Sequence, residues 1–413
     1  MQIVTLSPIY TPLNLKAGID PTSADYCEVL KAIPLQDNTI VAPNRDWEKP
    51  DDSYADTARD GYEMRVLLWK CRDEETGAEL TYHVYPNETS MAEVTLELDN
   101  SLATDDIDAD ALDKECQRIS RKVITRHSAE LYKVLKAIMS AVPSRYVDPV
   151  RQVSSIEPKD VSWVSRTLLL TPGERKDPHV QALLADWLRN TTRPEDAAAI
   201  AAGALDYSMT WLNYAIVDES EEQTRMLISA MRIAQFFYAA QQRLNEKGQE
   251  AISQTMFIKK RREVERVLTD VQANMRLLRI EYDVHKLHLN RTKRKVIDQI
   301  MEGWDFDDLM KNGDRILNFA SDKLTAIANR RAQSSSFVTE LILFGIGLVA
   351  IFEVILYFIE YSREVATRPI LEFDRPSLFF RLFASADADL LILFGVILSV
   401  ILVFIYARYS RNK

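Results

Sequence analysis

Leu341–Ile359 reads LILFGIGLVAIFEVILYFI, nineteen residues with one charge, Glu353. Leu390–Ala407 reads LLILFGVILSVILVFIYA, eighteen residues with none. A helix rises about 1.5 Å per residue, so each run suffices to cross a hydrocarbon core of about 30 Å. Two such runs close together predict a multi-pass membrane hairpin over 336–413, with spans at about 341–359 and 390–407. An even number of spans puts both chain ends on one side. Lys323, Arg330 and Arg331 precede the first span, and Arg408, Arg411 and Lys413 follow the second. Arg363, Arg368, Arg375 and Arg381 lie between the spans, offset by acids. That bias places both termini in the cytoplasm. The start, MQIVTLSPIYTPLNLKAG, lacks the basic and apolar regions of a secretory signal. The expected location is a bacterial inner membrane.

Glu353 is the one ionisable residue inside the first span. A charge at membrane depth is costly and marks a pore or an inter-subunit pairing site. Gly345, Gly347 and Gly395 allow close helix approach. Between the spans, Pro376, Phe379, Phe380, Arg381 and Phe383 predict a short helix lying on the lipid surface.

Upstream, residues 191–335 read as a long-helix stalk with a coiled-coil segment. Val264, Leu268, Val271, Met275, Leu278, Tyr282, His285, Leu289, Thr292 and Val296 step by four and three. Such a seam predicts a helix from about Gln254 to Ile300, bent or broken at Glu302-Gly303-Trp304. A last helix, about Asp307 to Ala332, leads toward the membrane. Thr192-Arg193-Pro194-Glu195 reads as a capping box opening a helix through Trp211.

Residues 1–190 read as an α+β cytoplasmic head. Strands are expected at Gln2–Leu6, Met64–Lys70, Leu80–Tyr85, Glu93–Leu98 and Val161–Leu170, with the alternation of EVTLEL the clearest. Asp106 to Val142 and about Val180 to Arg189 read as helices. The fold class is therefore an α+β head, a long helical and coiled-coil stalk, and two C-terminal transmembrane helices.

The chain has 413 residues and a formal net charge of −10. Residues 1–115 hold 9 Lys+Arg against 25 Asp+Glu, a net of −16, so the remainder carries +6. An acidic balance excludes a general nucleic-acid binder. The acidic head could instead recruit a soluble partner or ligand. Cys27, Cys71 and Cys116 are too scattered for a disulfide framework or a zinc ribbon. Glu281, His285 and His288 share a helical face at i, i+4 and i+7, a spacing that can hold a metal ion, although His285 is also a seam position. Asp106, Asp108 and Asp110 open like a calcium loop, but Ala111 and Gln117 stand where such a loop needs Gly and Glu. A divalent cation is the one cofactor these residues suggest. No Walker loop, GxSxG elbow, HExxH or kinase signature occurs, so no enzyme is expected.

The plan as a whole resembles the CorA-like divalent cation transporters. The likeness rests on the helix-to-span passage from Asp314-Arg-Ile-Leu-Asn-Phe-Ala-Ser to Leu341, the two spans, and the tail Ala407-Arg-Tyr-Ser-Arg-Asn-Lys413. The family's Gly-Met-Asn after the first span is absent; Tyr357-Phe-Ile-Glu-Tyr-Ser-Arg363 stands there. The resemblance implies a homo-oligomer of five copies whose first spans line an axis carrying magnesium or another cation, gated by the head. The alternative is a membrane-anchored scaffold, or a ligand-sensing membrane effector of stress or phage defence, without basal transport.

Overall fold

The computed structural model describes residues 1–14, 39–41, 67–85, 87–97, 108–141, 155–210, 212–255, 261–287, 289–367 and 378–385, with isolated positions from 387 to 404. Two compact units divide the chain, Met1–Ala320 and Ser321–Lys413.

The first unit is built on a mixed eight-stranded sheet. Its strands are β1 (Gln2–Asn14), β2 (Thr39–Val41), β3 (Leu67–Arg72), β4 (Glu79–Val84), β5 (Asn87–Glu97), β6 (Ser165–Leu170), β7 (Tyr207–Met209) and β8 (Asn213–Val217). They lie in the order β2-β3-β4-β5-β1-β6-β8-β7. All neighbours are antiparallel except β6 and β8, which run parallel. Successive side chains of a strand point to opposite faces, and both faces here are buried. Ile3, Val94, Leu168 and Val217 enter one core, with Val123 and Ile124 of α1 (Ala109–Ala141) and Leu184 and Trp187 of α2 (Pro178–Leu188). Val4, Leu6, Leu169 and Ile216 enter the other, with Met231 and Phe237 of α4 (Glu221–Thr255). Helices therefore cover both sides of the sheet.

Local chemistry sets the helix ends. The Asp177 carboxylate caps α2 by accepting the His179 N–H, with Pro178 in the first turn. The helix expected through Trp211 is instead α3 (Asp196–Ala201), six residues long. Its N-cap is Glu195, without a side-chain capping bond. Gly203, at φ +77°, ends it. The chain then enters β7 and β8, so the region expected to be free of strands closes one edge of the sheet.

The expected helix from Gln254 to Ile300 is divided. After α4 come α5 (Arg261–Leu287) and α6 (Arg291–Gly303), and Asn290 caps α6 by accepting the Lys293 N–H at 2.7 Å. Asn at an N-cap outweighs the continuity of the apolar pattern. Of the expected heptad seam, Leu278, Tyr282 and Val296 pack within the chain, with Met231 and Phe237 of α4, and no coiled coil is shown. The break at Gly303-Trp304 is present, with Asp305 at φ 51°. Beyond it, α7 runs without interruption from Phe306 to Thr367.

In the second unit, α7 holds the apolar stretch Thr339–Val365, the one described helix long and apolar enough to cross a membrane. Only 6% of its apolar window is buried, unlike a core helix of a soluble fold. The second apolar run, Leu390–Ala407, lies largely outside the described residues. A short helix, α8, spans Leu378–Ala384.

Candidate functional site

The apolar part of α7 has two distinct faces. Leu341, Gly345, Leu348, Phe352, Ile355, Ile359 and Ser362 are partly or fully buried, while the residues between them are mostly exposed. Their spacing of four and three makes a straight packing seam. A Cβ on Gly395 would overlap the Phe352 ring, so a glycine of the second apolar run sits directly on this seam. The Ser362 hydroxyl, fully buried, donates to the Phe358 carbonyl at 2.7 Å, which satisfies it within the helix.

Glu353 is not on that seam. It is exposed, as are Tyr357, Glu360 and Glu364. At 3.6 residues per turn these four fall within about 60° of each other and about 130° from the seam. Glu360 and Glu364 stand about 10 Å and about 16 Å along the helix from Glu353. The result is a ladder of three carboxylates interrupted by a phenol, running from inside the apolar stretch to its C-terminal end. Ile346 and Val349 continue the same face in the other direction and are also exposed. Such a ladder can draw a cation along it, or pair with another charged surface.

The ionic clusters of the first unit link sheet to helices. Glu93 on β5 is held by His83 of β4 and Arg232 of α4, each at 3.2 Å. Burial pushes the Glu93 carboxyl up, but the hydrogen bonds and charge of His83 and Arg232 outweigh it and bring it down to about 2. Asp73, buried in the β3–β4 turn, accepts from Thr76 and faces Arg126 at 2.7 Å and His127 at 3.0 Å on α1. Burial raises its carboxyl and these bonds more than reverse that, leaving it well below the usual range. Burial pushes the Cys71 and Cys116 thiols up to about 12, so both are poor nucleophiles.

The proposed metal residues do not converge among the described residues. Asp106 and His288 lie outside them. Asp108 accepts the Asp110 N–H at 2.9 Å, and Asp110 lies 4.0 Å from Arg189, so both serve the start of α1. His285 is buried with its ring 5.6 Å from Phe237. Glu281, half-buried on α5, is raised to about 7 by burial. No three His, Cys, Asp or Glu side chains gather around a point among the described residues. Of the membrane-interface set, Pro376 lies outside the described residues, and Phe379, Phe380, Arg381 and Phe383 fall in α8, where Arg381, Leu378 and Leu382 are exposed.

Glu360 and Glu364 lie beyond Ile359, where the sequence reading ends the span, and Tyr357 lies inside that span without a role in the reading. Their spacing of i+4, i+7 and i+11 from Glu353 was the available signal. Comparisons of the chain with family models, curated proteins and solved structures find no match.

Proposed function

We propose that the chain forms a homo-oligomeric membrane channel or transporter for cations, with Glu353, Tyr357, Glu360 and Glu364 along the permeation path. The observation that carries this reading is the exposed carboxylate ladder on an apolar helix, turned away from the packing seam. A carboxylate facing lipid costs roughly 2.5–3.5 kcal/mol on insertion scales. Copies arranged around an axis remove that cost by turning the ladder toward water and toward cations.

In this reading α7 and the second apolar run form a hairpin locked at Phe352 and Gly395. Both termini are cytoplasmic, and Met1–Ala320 is the part that gates. Glu360 and Glu364 then form a negative mouth on the outer side, focusing cations. The short helix α8 rests on the lipid surface through Leu378 and Leu382, with Arg381 at the headgroups. No catalytic step is assigned.

Purified full-length protein in liposomes tests this, with divalent and monovalent cation flux read by entrapped dyes. The expected result is flux that drops at least tenfold in Glu353→Gln. Equal flux in wild type and variant removes the assigned role. Folded, oligomeric protein that passes no cation returns the chain to the competing reading, a membrane-anchored scaffold or ligand-sensing effector.

A further inference from the structure

Among the described residues of Met1–Ala320, the large apolar side chains left exposed are Ile280, Leu287 and Phe319. Ile280 is 59% and Leu287 76% exposed, and they stand seven residues apart on α5. One face of α5 is already used: Leu268, Met275 and Leu278 are buried in the core. Arg276, Ile280, Asp283 and Leu287 form a second stripe, about 125° away around the helix.

The charges on that stripe are self-complementary. Arg276 lies four residues before Ile280 and Asp283 three residues after it, and both are exposed. Neither forms an ion pair among the described residues. When two copies of this helix run antiparallel and cross between positions 279 and 280, each Arg276 meets the other copy's Asp283. Ile280 then lies within about 1.5 Å, along the axis, of its counterpart at the centre, and Leu287 comes level with Gln272 and beside Ala273. In a parallel pair each Arg276 would face an Arg276 instead.

We infer that this α5 face is a contact between two copies of the chain, paired antiparallel about a two-fold axis that passes beside Ile280. A rim of opposite charges around an apolar centre both orients the pair and rejects the parallel register. Engaged by every copy, it gives an even copy number in place of the five that the CorA-like resemblance implies. The contact stands independently of the cation path.

The test uses full-length protein in nanodiscs and disulfide cross-linking under mild oxidation. The unaltered chain, with its native cysteines, sets the background. Ile280→Cys is expected to give a covalent dimer, because each Ile280 sits beside its own counterpart. Leu287→Cys is expected to give none above background, because its counterparts lie about 20 Å apart in the antiparallel register. Adding Arg276→Glu to Ile280→Cys should abolish the cross-link, and adding Asp283→Arg as well should restore it. Absence of the Ile280→Cys dimer, a dimer from Leu287→Cys, or failure of the charge swap to restore the link would each overturn the pairing. Because both positions are exposed, misfolding does not explain a negative result, and circular dichroism checks that directly.

Discussion

Gly248 on α4 marks a close approach between that helix and the start of α7. A Cβ placed on it would lie 2.6 Å from Cγ2 of Ile316 and 3.5 Å from Val271. Carbon atoms rest at about 3.5–4.0 Å, so the first contact is strongly repulsive. Ile316 is buried against Met275 and Leu317 and has little room to yield. In an open helix, Gly→Ala stabilises by about 1 kcal/mol. Overpacking a filled core costs about 1–3 kcal/mol. Gly248→Ala is therefore expected to lose about 1 kcal/mol net. Gly303, at the end of α6, has nothing within 4 Å of an added Cβ, so Gly303→Ala should gain about 0.5–1 kcal/mol. The assay is urea unfolding of full-length protein in mild detergent, followed by tryptophan fluorescence. Ile316→Leu removes Cγ2 and should recover most of the loss in the double variant, whereas Ile316→Val keeps that carbon and should not. If Gly248→Ala stabilises as much as Gly303→Ala, the close packing of α4 on α7 is wrong.

Other perturbations bear on other parts of the structure. Glu93 titrates at about 2 in the fold against an ordinary value near 4.5, so its stabilisation is present above about pH 4.5 and is lost as pH falls toward 2. Acid unfolding should therefore steepen in that window, and Glu93→Gln should flatten it. Glu281 behaves oppositely: raised to about 7, it favours the fold below about pH 4.5 and loses that contribution as pH rises through 7. Glu281→Gln should accordingly stabilise by on the order of 2 kcal/mol at pH 8 and by little at pH 4.5, and equal gains at both would contradict its burial. Gly395→Leu should collide with Phe352 and lower thermal stability in detergent, and Phe352→Ala should relieve it; no effect of Gly395→Leu would remove that contact.

Much of the fold was legible because its signals are local. The alternation of Glu93 to Leu98 and the apolar run at Gln2–Leu6 are strand patterns that need no partner to be recognised, and β5 and β1 pair along their lengths. Asn213–Val217 was missed because four of its five residues are buried, so it lacks the alternation of a half-exposed strand. The Ala-rich run before it carried a helical bias that only Gly203 cut short. The heptad seam showed that α5 would bury one face, but not that α4 of the same chain would cover it. The ionic clusters were invisible because they are made across sequence: Arg232 and Glu93 stand 139 residues apart. Glu353 was legible as an isolated charge in an apolar run. Glu360 and Glu364 were hidden by reading the helix only as far as its apolarity lasted, while α7 continues to Thr367.

Water at the carboxylate ladder is the central claim, and cysteine accessibility in proteoliposomes tests it most directly. Single cysteines at Glu353, Tyr357, Ile351 and Phe352 would be exposed to a charged, membrane-impermeant thiol reagent, with the unaltered chain as background. Glu353→Cys and Tyr357→Cys should label readily. Ile351→Cys, exposed but on another face, and Phe352→Cys, on the seam, should stay unlabelled. Labelling at Glu353→Cys no faster than at Ile351→Cys would mean that the ladder faces lipid or protein, and the cation path proposed here would fall.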